Sequence, residues 1–244
     1  FTGYRHYFFY YGISKPEDVI ALIRKHHKPG TSLKEIPAKK MYEETVFDRN
    51  RVYFVNYDMV QNNFFMVSKD QLFDASLLPY AQMFSEYFGS GLSSVVFQEI
   101  RESRALAYTA YATYATPGRT WDSYRIQAYV ATQTDKLKTA ADAMNTLLNN
   151  MPKADIQFNA SKESILRRIE SDRITKTSLF WSYVRNKELG IDHDNRREVY
   201  EKVKNINLDD MENFFNNHIK GKHYTYLVIG KREDMDMKTL KSLG

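Results

Sequence analysis

The stretch FSEYFGSGLSSVVFQEIRESRALAY, residues 84–108, decides how the chain folds. Gly89 and Gly91 interrupt a helical pattern here, because glycine costs little at a turn and much inside a helix. A second helix is predicted at 92–103, where apolar residues recur with helical spacing. The chain then passes into an alternating, tyrosine-rich strand at 107–116, so the stretch predicts two helices that lead into a sheet.

Two long polar side chains flank the change from helix to strand. Arg101 lies near the end of the second predicted helix, and Tyr108 follows seven residues later at the start of the strand. Alternation along the strand places Tyr108 on the same face as Ala110, Ala112 and Tyr114. We therefore expect Arg101 and Tyr108 to approach the same edge of the sheet.

The order of the remaining segments predicts an α+β fold. A turn at Pro117-Gly118-Arg119 joins the strand at 107–116 to another at 123–132, so these two should pair as a hairpin. Asn207 is the expected N-cap of a helix, with Asp210 three residues later. Further strands are predicted at 51–57, 63–68 and 223–230, and helices at 72–88, 136–150, 156–172, 177–189, 196–204, 208–219 and 235–243. This order predicts a two-layer sandwich, in which a largely antiparallel sheet carries helices on one face.

The two ends of the chain carry similar segments. Residues 6–12, HYFFYYG, are typical of a buried strand that ends in glycine, and a helical pattern follows them. Residues 223–230, HYTYLVIG, show the same order, although two tyrosine-rich strands could also resemble each other by coincidence. We predict that residues 1–40 are a terminal strand, helix and linker joining from an upstream module. Residues 41–244 would form the main domain, in a piece excised from a tandem-domain protein.

The composition excludes several classes of protein. The 244 residues include no cysteine, which excludes disulfides, cysteine-ligated zinc and thiol catalysis. The net charge of +5 comes from scattered basic residues, so no nucleic-acid partner is expected. No apolar run approaches the roughly 20 residues that a transmembrane helix needs.

Sequence motifs argue against a metal or nucleotide site in this chain. None of the six histidines lies in H-x-x-E-H or H-E-x-x-H, and adjacent His26 and His27 would diverge by about 100° on a helix. The glycine-rich segment at 89–94 follows a helix and lacks the lysine of a phosphate-binding loop. No G-x-S-x-G elbow of a serine hydrolase occurs. We therefore predict no metal site and no bound cofactor here.

Residues 62–133 resemble a known family. Gly89-Ser90-Gly91, the pair Ser93-Ser94, the helix end at 98–102 and Ala105-Leu106-Ala107-Tyr108 occur in the order and spacing of the insulinase/pitrilysin zinc metallopeptidases. These peptidases use an inverted H-x-x-E-H motif, and the resemblance is to their C-terminal domain, which does not bind zinc. Ala105 stands where that family usually has glycine, which is a mild departure from the pattern.

The resemblance implies a role for Arg101 and Tyr108. In the family, the arginine and tyrosine of this segment reach toward a zinc site on the partner half, hold the substrate backbone and stabilise the oxyanion that forms on hydrolysis. Both side chains are hydrogen-bond donors, which suits developing negative charge. The chain would then be the non-zinc half of a zinc metalloendopeptidase that closes over an unfolded peptide. Its partners would be the zinc-bearing half-domain and the peptide, and it would be inactive alone.

Other roles remain open from the sequence. The chain could be a non-catalytic paralogue that acts as a partner subunit or a peptide-binding module, or a purely structural interaction domain. In those cases Arg101 would be a surface cation and Tyr108 a core aromatic. The resemblance also implies an exported protein, in the bacterial periplasm or associated with its membranes.

Overall fold

The computed structural model describes residues 3–38 and 40–244. The predicted segment 1–40 therefore includes three residues, 1, 2 and 39, that lie outside the described ones. The chain divides into two compact units. The smaller comprises Phe1–Thr45 with Ile174–Trp181, and the larger comprises Val46–Arg173 with Ser182–Gly244.

Apart from the strand predicted at 6–12, the described elements follow the predicted order. The strands are β1 (Arg51–Asn56), β2 (Gln61–Leu72), β3 (Thr109–Ala115), β4 (Ser123–Gln133) and β5 (Thr225–Gly230). The α-helices are α1 (Pro16–His26), α2 (Leu78–Phe84), α3 (Leu137–Asn149), α4 (Asp155–Ser171), α5 (Lys176–Glu188), α6 (Arg196–Asn205), α7 (Leu208–His218) and α8 (Met237–Leu243). At the start of α7, Asn207 and Asp210 form the reciprocal capping box that their spacing predicts.

Within the described residues, five strands form one sheet in the order β1-β5-β2-β4-β3. The pairs β5–β2, β2–β4 and β4–β3 are antiparallel, whereas β1 and β5 are parallel. The predicted α+β fold with a largely antiparallel sheet is confirmed. The parallel pair is an addition that no local pattern indicated, since it joins strands far apart in the chain.

The core of the larger unit lies between the sheet and the helices on one of its faces. Along β2, side chains alternate between the buried and the opposite face, and Phe64 and Met66 are fully buried. β3 and β4 contribute Ala112 and Ile126 to the same layer, which α2, α3 and α7 cover. This period-two burial is expected of a sheet with one covered face.

The predicted strand at 6–12 is not a strand in this structure. Residues 7–12 are exposed, and no strand within the described part of the chain pairs with this segment. A strand gains stability by hydrogen bonding to a neighbour, and β-prone residues alone do not supply one. The helix predicted after it is present as α1, none of whose residues is buried.

The predicted helix at 72–88 begins later and ends differently. β2 continues to Leu72, a 3₁₀ turn covers Ala75–Leu77, and α2 passes into a π-helical segment at Ser85–Gly89. Gly89 lies so close to β3 that a Cβ atom there would be 1.4 Å from the carbonyl oxygen of Ala112. The helix therefore ends against the sheet, at a glycine that this contact requires.

A buried carboxylate joins β2 to the end of α7. The Asp70 side chain is 7% exposed and accepts hydrogen bonds from the Tyr114 hydroxyl at 2.8 Å, from His218 Nδ1 at 2.6 Å and from the Lys222 ammonium. Burial raises the pKa of Asp70, but the hydrogen bonds from His218, Lys222 and Tyr114 outweigh burial and lower this pKa to about 2. The ionised carboxylate is therefore the form that the fold stabilises.

We expect the free energy of unfolding to fall at acid pH as the Asp70 carboxylate is protonated. Its pKa is lower in the folded state than its ordinary value of 3.8, so its contribution is present above pH 3.8 and is lost as pH falls toward about 2. The shift corresponds to a contribution on the order of 2 kcal/mol at neutral pH. Unfolding free energies of the protein and of Asp70→Asn, measured from pH 7 to pH 2, should converge in that acid range. A difference that stays constant with pH would contradict this role.

Candidate functional site

Arg101 lies on a second π-helical segment, Phe97–Glu102. Ile100 anchors this segment in the core with no exposed surface. The Arg101 guanidinium carbon is 4.7 Å from the centre of the Phe97 ring and 5.6 Å from that of Tyr108. Two aromatic rings thus hold the cation by cation–π contacts, and its side chain keeps 39% of its surface exposed.

The corner between helix and strand is tied down by hydrogen bonds. The Leu106 N–H donates to the Ile100 carbonyl at 2.9 Å, and the Thr132 hydroxyl donates to the Leu106 carbonyl at 2.6 Å. The Lys136 ammonium donates to the Ala105 carbonyl at 3.0 Å. Two of these bonds come from β4 and the turn after it, so the sheet itself holds the corner in place.

Tyr108 is exposed, contrary to the alternation predicted for its strand. Its N–H donates to the Ala131 carbonyl at 3.0 Å, but 72% of the residue is exposed. β3 begins one residue later, at Thr109, so Tyr108 still belongs to the corner and does not follow the strand's alternation. Ala110, which does follow it, is buried as expected. The phenol of Tyr108 is therefore available to a ligand.

Arg101 and Tyr108 line one cavity of about 280 Å³. The lining residues also include Lys136, Gln61 and Gln133, and the two glutamines are opposite each other in the β2–β4 pairing. The cavity thus gathers two cations, a phenol and two amides, which are donors suited to a carbonyl or carboxylate oxygen. Arg101 and Tyr108 were expected to approach the same edge of the sheet, and in the structure the two side chains are in contact there.

Lys136 was missed by the sequence analysis. It lies 28 residues after Tyr108, beyond the range of any local motif. The signal that could have found it is the hairpin register, because β4 runs back antiparallel to β3 and pairs Ala131 with Thr109. Continuing that register for a few residues brings Lys136 to the end of the sheet that carries Tyr108.

Comparison with known proteins decides the family. The sequence profile of the peptidase M16 inactive domain matches residues 2–162. The chain belongs to this family. The resemblance to the C-terminal, non-zinc half of the insulinase/pitrilysin peptidases is thereby confirmed. A search of curated proteins finds no match to this M16 inactive domain.

Solved structures share the fold of this M16 inactive domain. A peptidase M16 inactive domain from Pseudomonas fluorescens is 13% identical with a TM-score of 0.67, over 82% of this chain and 48% of that one. A protease from Helicobacter pylori is 17% identical with a TM-score of 0.69, over 89% of this chain and 53% of that one. The periplasmic protease PqqL from Escherichia coli is 12% identical with a TM-score of 0.65, over 91% of this chain and 25% of that one. The chain therefore spans about half the length of the first two structures.

The histidines of this M16 inactive domain do not gather into a metal site in the residues described. His27 Nε2 lies 3.0 Å from His6 Nδ1, and His218 contacts Asp70. No three histidine, aspartate or glutamate side chains converge as metal ligands within residues 3–38 and 40–244. The described residues thus offer no donor set that fits zinc. Over the same residues, no helix combines the length and apolar character needed to cross a bilayer.

Ala105, which stands where the family usually has glycine, has a strained backbone conformation that should lower the stability of the fold. Ala105 has φ of +46°, in the left-handed region where an L side chain is disfavoured and glycine is not. We expect Ala105→Gly to raise the free energy of unfolding by about 0.5–1 kcal/mol, after the entropy cost of glycine is allowed for. Urea unfolding would measure the change in the free energy of unfolding. Ala107→Gly is the control: Ala107 has no positive φ, so this substitution should not stabilise the protein. A loss of stability in Ala105→Gly would contradict the strain.

Proposed function

We propose that this M16 inactive domain is the non-zinc half of a zinc metalloendopeptidase and that it closes over an unfolded peptide. The observation that carries the proposal is the shared cavity of Arg101 and Tyr108, in which a stacked guanidinium and an exposed phenol stand together. Both belong to a corner that hydrogen bonds hold in place before any substrate arrives. A preorganised donor pair of this kind suits the backbone and oxyanion contacts of peptide hydrolysis.

The two side chains would act on the carbonyl of the scissile bond. The zinc-bearing half-domain would supply the metal-activated water that attacks this carbonyl. Negative charge then develops on the carbonyl oxygen, and the Arg101 N–H groups and the Tyr108 hydroxyl would donate to it. Because the Arg101 charge is permanent, it needs no proton transfer to act. Lys136 holds the Ala105 carbonyl at 3.0 Å and would position the corner that carries both donors.

The edge of the sheet beside this cavity suits an extended peptide. β3 is the last strand in the order of the described sheet, and Tyr108 directly precedes it. A peptide could add to that edge as a further strand, with its carbonyl groups close to the donors. Export to the periplasm is part of the proposal, supported by the fold shared with a periplasmic protease.

The test is to make Arg101→Ala and Tyr108→Phe in the assembled two-half enzyme, which consists of this domain and the zinc-bearing half-domain. Peptidase turnover should fall in both variants, while the isolated chain, expected to be inactive, keeps its stability. Unchanged turnover would overturn the catalytic contacts and leave the non-catalytic role, in which the domain is a partner subunit or a peptide-binding module.

A further inference from the structure

The outer face of the sheet, opposite the helix-covered core, carries a row of large apolar side chains. The pairing registers place one residue of each strand side by side in this row, in the order Tyr53, Leu227, Phe65, Tyr129 and Tyr111. The strand neighbours of each member are buried in the core or packed against it, so the row points away from the core. Every member keeps part of its surface exposed. A row of this kind is suited to binding apolar groups, because covering apolar surface is favourable.

Tyr111 and Tyr129 form a stacked pair at the β3 end of this row. Their ring centres are 5.4 Å apart, and the ring planes differ by 27°. The Tyr129 hydroxyl donates a hydrogen bond to Asn63 Oδ1 at 2.7 Å, which fixes the orientation of the Tyr129 ring. The pair therefore forms an aromatic surface beside β3, the last strand in the order of the described sheet.

The aromatic pair is continuous with the cavity of Arg101 and Tyr108. Ala131 lines that cavity and pairs with Thr109, and the Tyr111–Tyr129 pair follows two residues further along the same two strands. Tyr111 comes three residues after Tyr108, which is about 10 Å along an extended strand. A peptide that is held at Arg101 and Tyr108 and runs along β3 would therefore pass beside the aromatic pair.

We propose that Tyr111 and Tyr129 form a specificity subsite for a large apolar, preferably aromatic, side chain of the peptide substrate. This inference rests on the proposed function, which places an extended peptide at the edge of β3. Side chains of such a peptide alternate between the two faces, and the one opposite Tyr111 would extend the row as its next member. Aromatic rings at that spacing attract each other beyond the effect of buried area. The side chain that is bound would belong to a residue about three positions from the cleaved bond.

The charges of the outer face favour an apolar over a basic side chain. The charged strand residues on this face, within the described part of the chain, are Arg51, Lys69 and Arg125, and none is an acid. The face thus has no strand carboxylate to pair with a lysine of the substrate, and the ammonium group would lose hydration against the rings without compensation. We therefore expect the subsite to reject lysine.

Peptide affinity tests the subsite in the assembled two-half enzyme, with the metal removed by a chelator so that the peptides stay intact. Fluorescence anisotropy gives the Kd of labelled peptides that differ only in carrying Phe, Ala or Lys at one position, and this position is moved along the peptide. We expect one position at which Phe binds at least about 10-fold more tightly than Ala, and Lys more weakly than Ala. A Kd that does not depend on the residue at any position would overturn the proposal.

Substitutions assign this preference to the aromatic pair. Tyr111→Ala should reduce the ratio of the Ala-peptide Kd to the Phe-peptide Kd to below about 2, whereas Tyr111→Phe keeps the ring and should keep the ratio. Tyr53→Ala is the matched control, because Tyr53 belongs to the same row but lies on β1, at the opposite edge of the sheet from β3. Each ratio compares two peptides on one protein sample, so a partly unfolded variant does not distort it. An unchanged ratio in Tyr111→Ala, or an equal loss in Tyr53→Ala, would overturn the subsite.

Cleavage mapping then locates the subsite relative to the reaction. With the metal restored, mass spectrometry of the products should place the preferred Phe about three residues from the cleaved bond. A preferred Phe directly beside that bond would overturn the assignment to Tyr111.

The Kd ratio does not depend on turnover, so this inference and the proposed function can fail separately. Unchanged turnover in Arg101→Ala together with a lost ratio in Tyr111→Ala would overturn the catalytic contacts and sustain the subsite. Lowered turnover in Arg101→Ala together with an unchanged ratio in Tyr111→Ala would sustain the catalytic contacts and overturn the subsite.

Discussion

In the assembled two-half enzyme, Arg101→Ala is expected to lower kcat for peptide hydrolysis by about 100-fold, the usual effect of removing one preorganised oxyanion donor. The guanidinium is already positioned against Phe97 and Tyr108, so little reorganisation is needed when charge develops on the substrate. Its ion pair with Glu102 spans 3.7 Å at the surface, and such pairs contribute less than about 1 kcal/mol to stability. Steady-state kinetics and urea unfolding of the isolated chain measure the two effects separately.

Two further variants make this experiment specific. Tyr108→Phe removes one hydroxyl without changing the packing of the ring, and we expect a fall in kcat of a similar order. Arg104→Ala is the matched control, because Arg104 lies three residues from Arg101 and pairs with Glu99 at 3.5 Å outside the cavity. Turnover should not change in that control. If Arg104→Ala lowered kcat as much as Arg101→Ala, the effect would reflect general surface charge and not positioned donors.

Gly89→Ala is expected to destabilise the larger unit by at least about 4 kcal/mol, which is exceptional for a single substitution. The added Cβ would lie 1.4 Å from the carbonyl oxygen of Ala112 and 2.6 Å from its nitrogen. These atoms belong to the backbone of β3, so no flexible side chain can move aside. Either the π-helical segment or the strand would have to shift, and buried contacts on both sides would be lost.

Urea unfolding of Gly89→Ala, or the loss of soluble protein on expression, measures this effect. Gly118→Ala is the matched control, because a Cβ atom at Gly118 would meet nothing within 4 Å. We expect that control to change the free energy of unfolding by less than about 0.5 kcal/mol. Equal, small effects in the two variants would contradict the close approach of helix and strand at Gly89.

Local patterns predicted much of the fold. The alternation at 123–132 predicted β4, and the segment 136–150, predicted to be helical, is present as α3. The capping box of Asn207 and Asp210 also followed from spacing alone. The helix boundaries at 72–88 were less well predicted, since β2 continues to Leu72 and the π-helical turns follow from contact with the sheet.

Some features of the candidate site could likewise be predicted from local sequence, and others depend on the tertiary structure. Arg101 and Tyr108 lie on either side of a helix-to-strand corner within the continuous stretch 84–108. The sequence by itself therefore determined that they approach the same edge of the sheet. Only the tertiary structure decided that Tyr108 is exposed, because that depends on the residue at which β3 starts to pair with β4. It also decided that Lys136 joins them, since the antiparallel register brings residues distant in sequence to one end of the sheet.

The segment 6–12 and the hydrogen bonds of Asp70 show most clearly what local sequence patterns do not determine. The sequence determined that residues 6–12 favour a strand, but a strand needs neighbours, and no described strand of this chain pairs with them. Asp70, Tyr114 and the pair His218 and Lys222 come from three separate parts of the chain, and only folding brings them into hydrogen-bonding distance. Sequence alone thus determined most of the elements and their order, because helical spacing and strand alternation depend on residues close together in the chain. Tertiary structure decided pairing, exposure and charge contacts, because these depend on residues far apart in the chain.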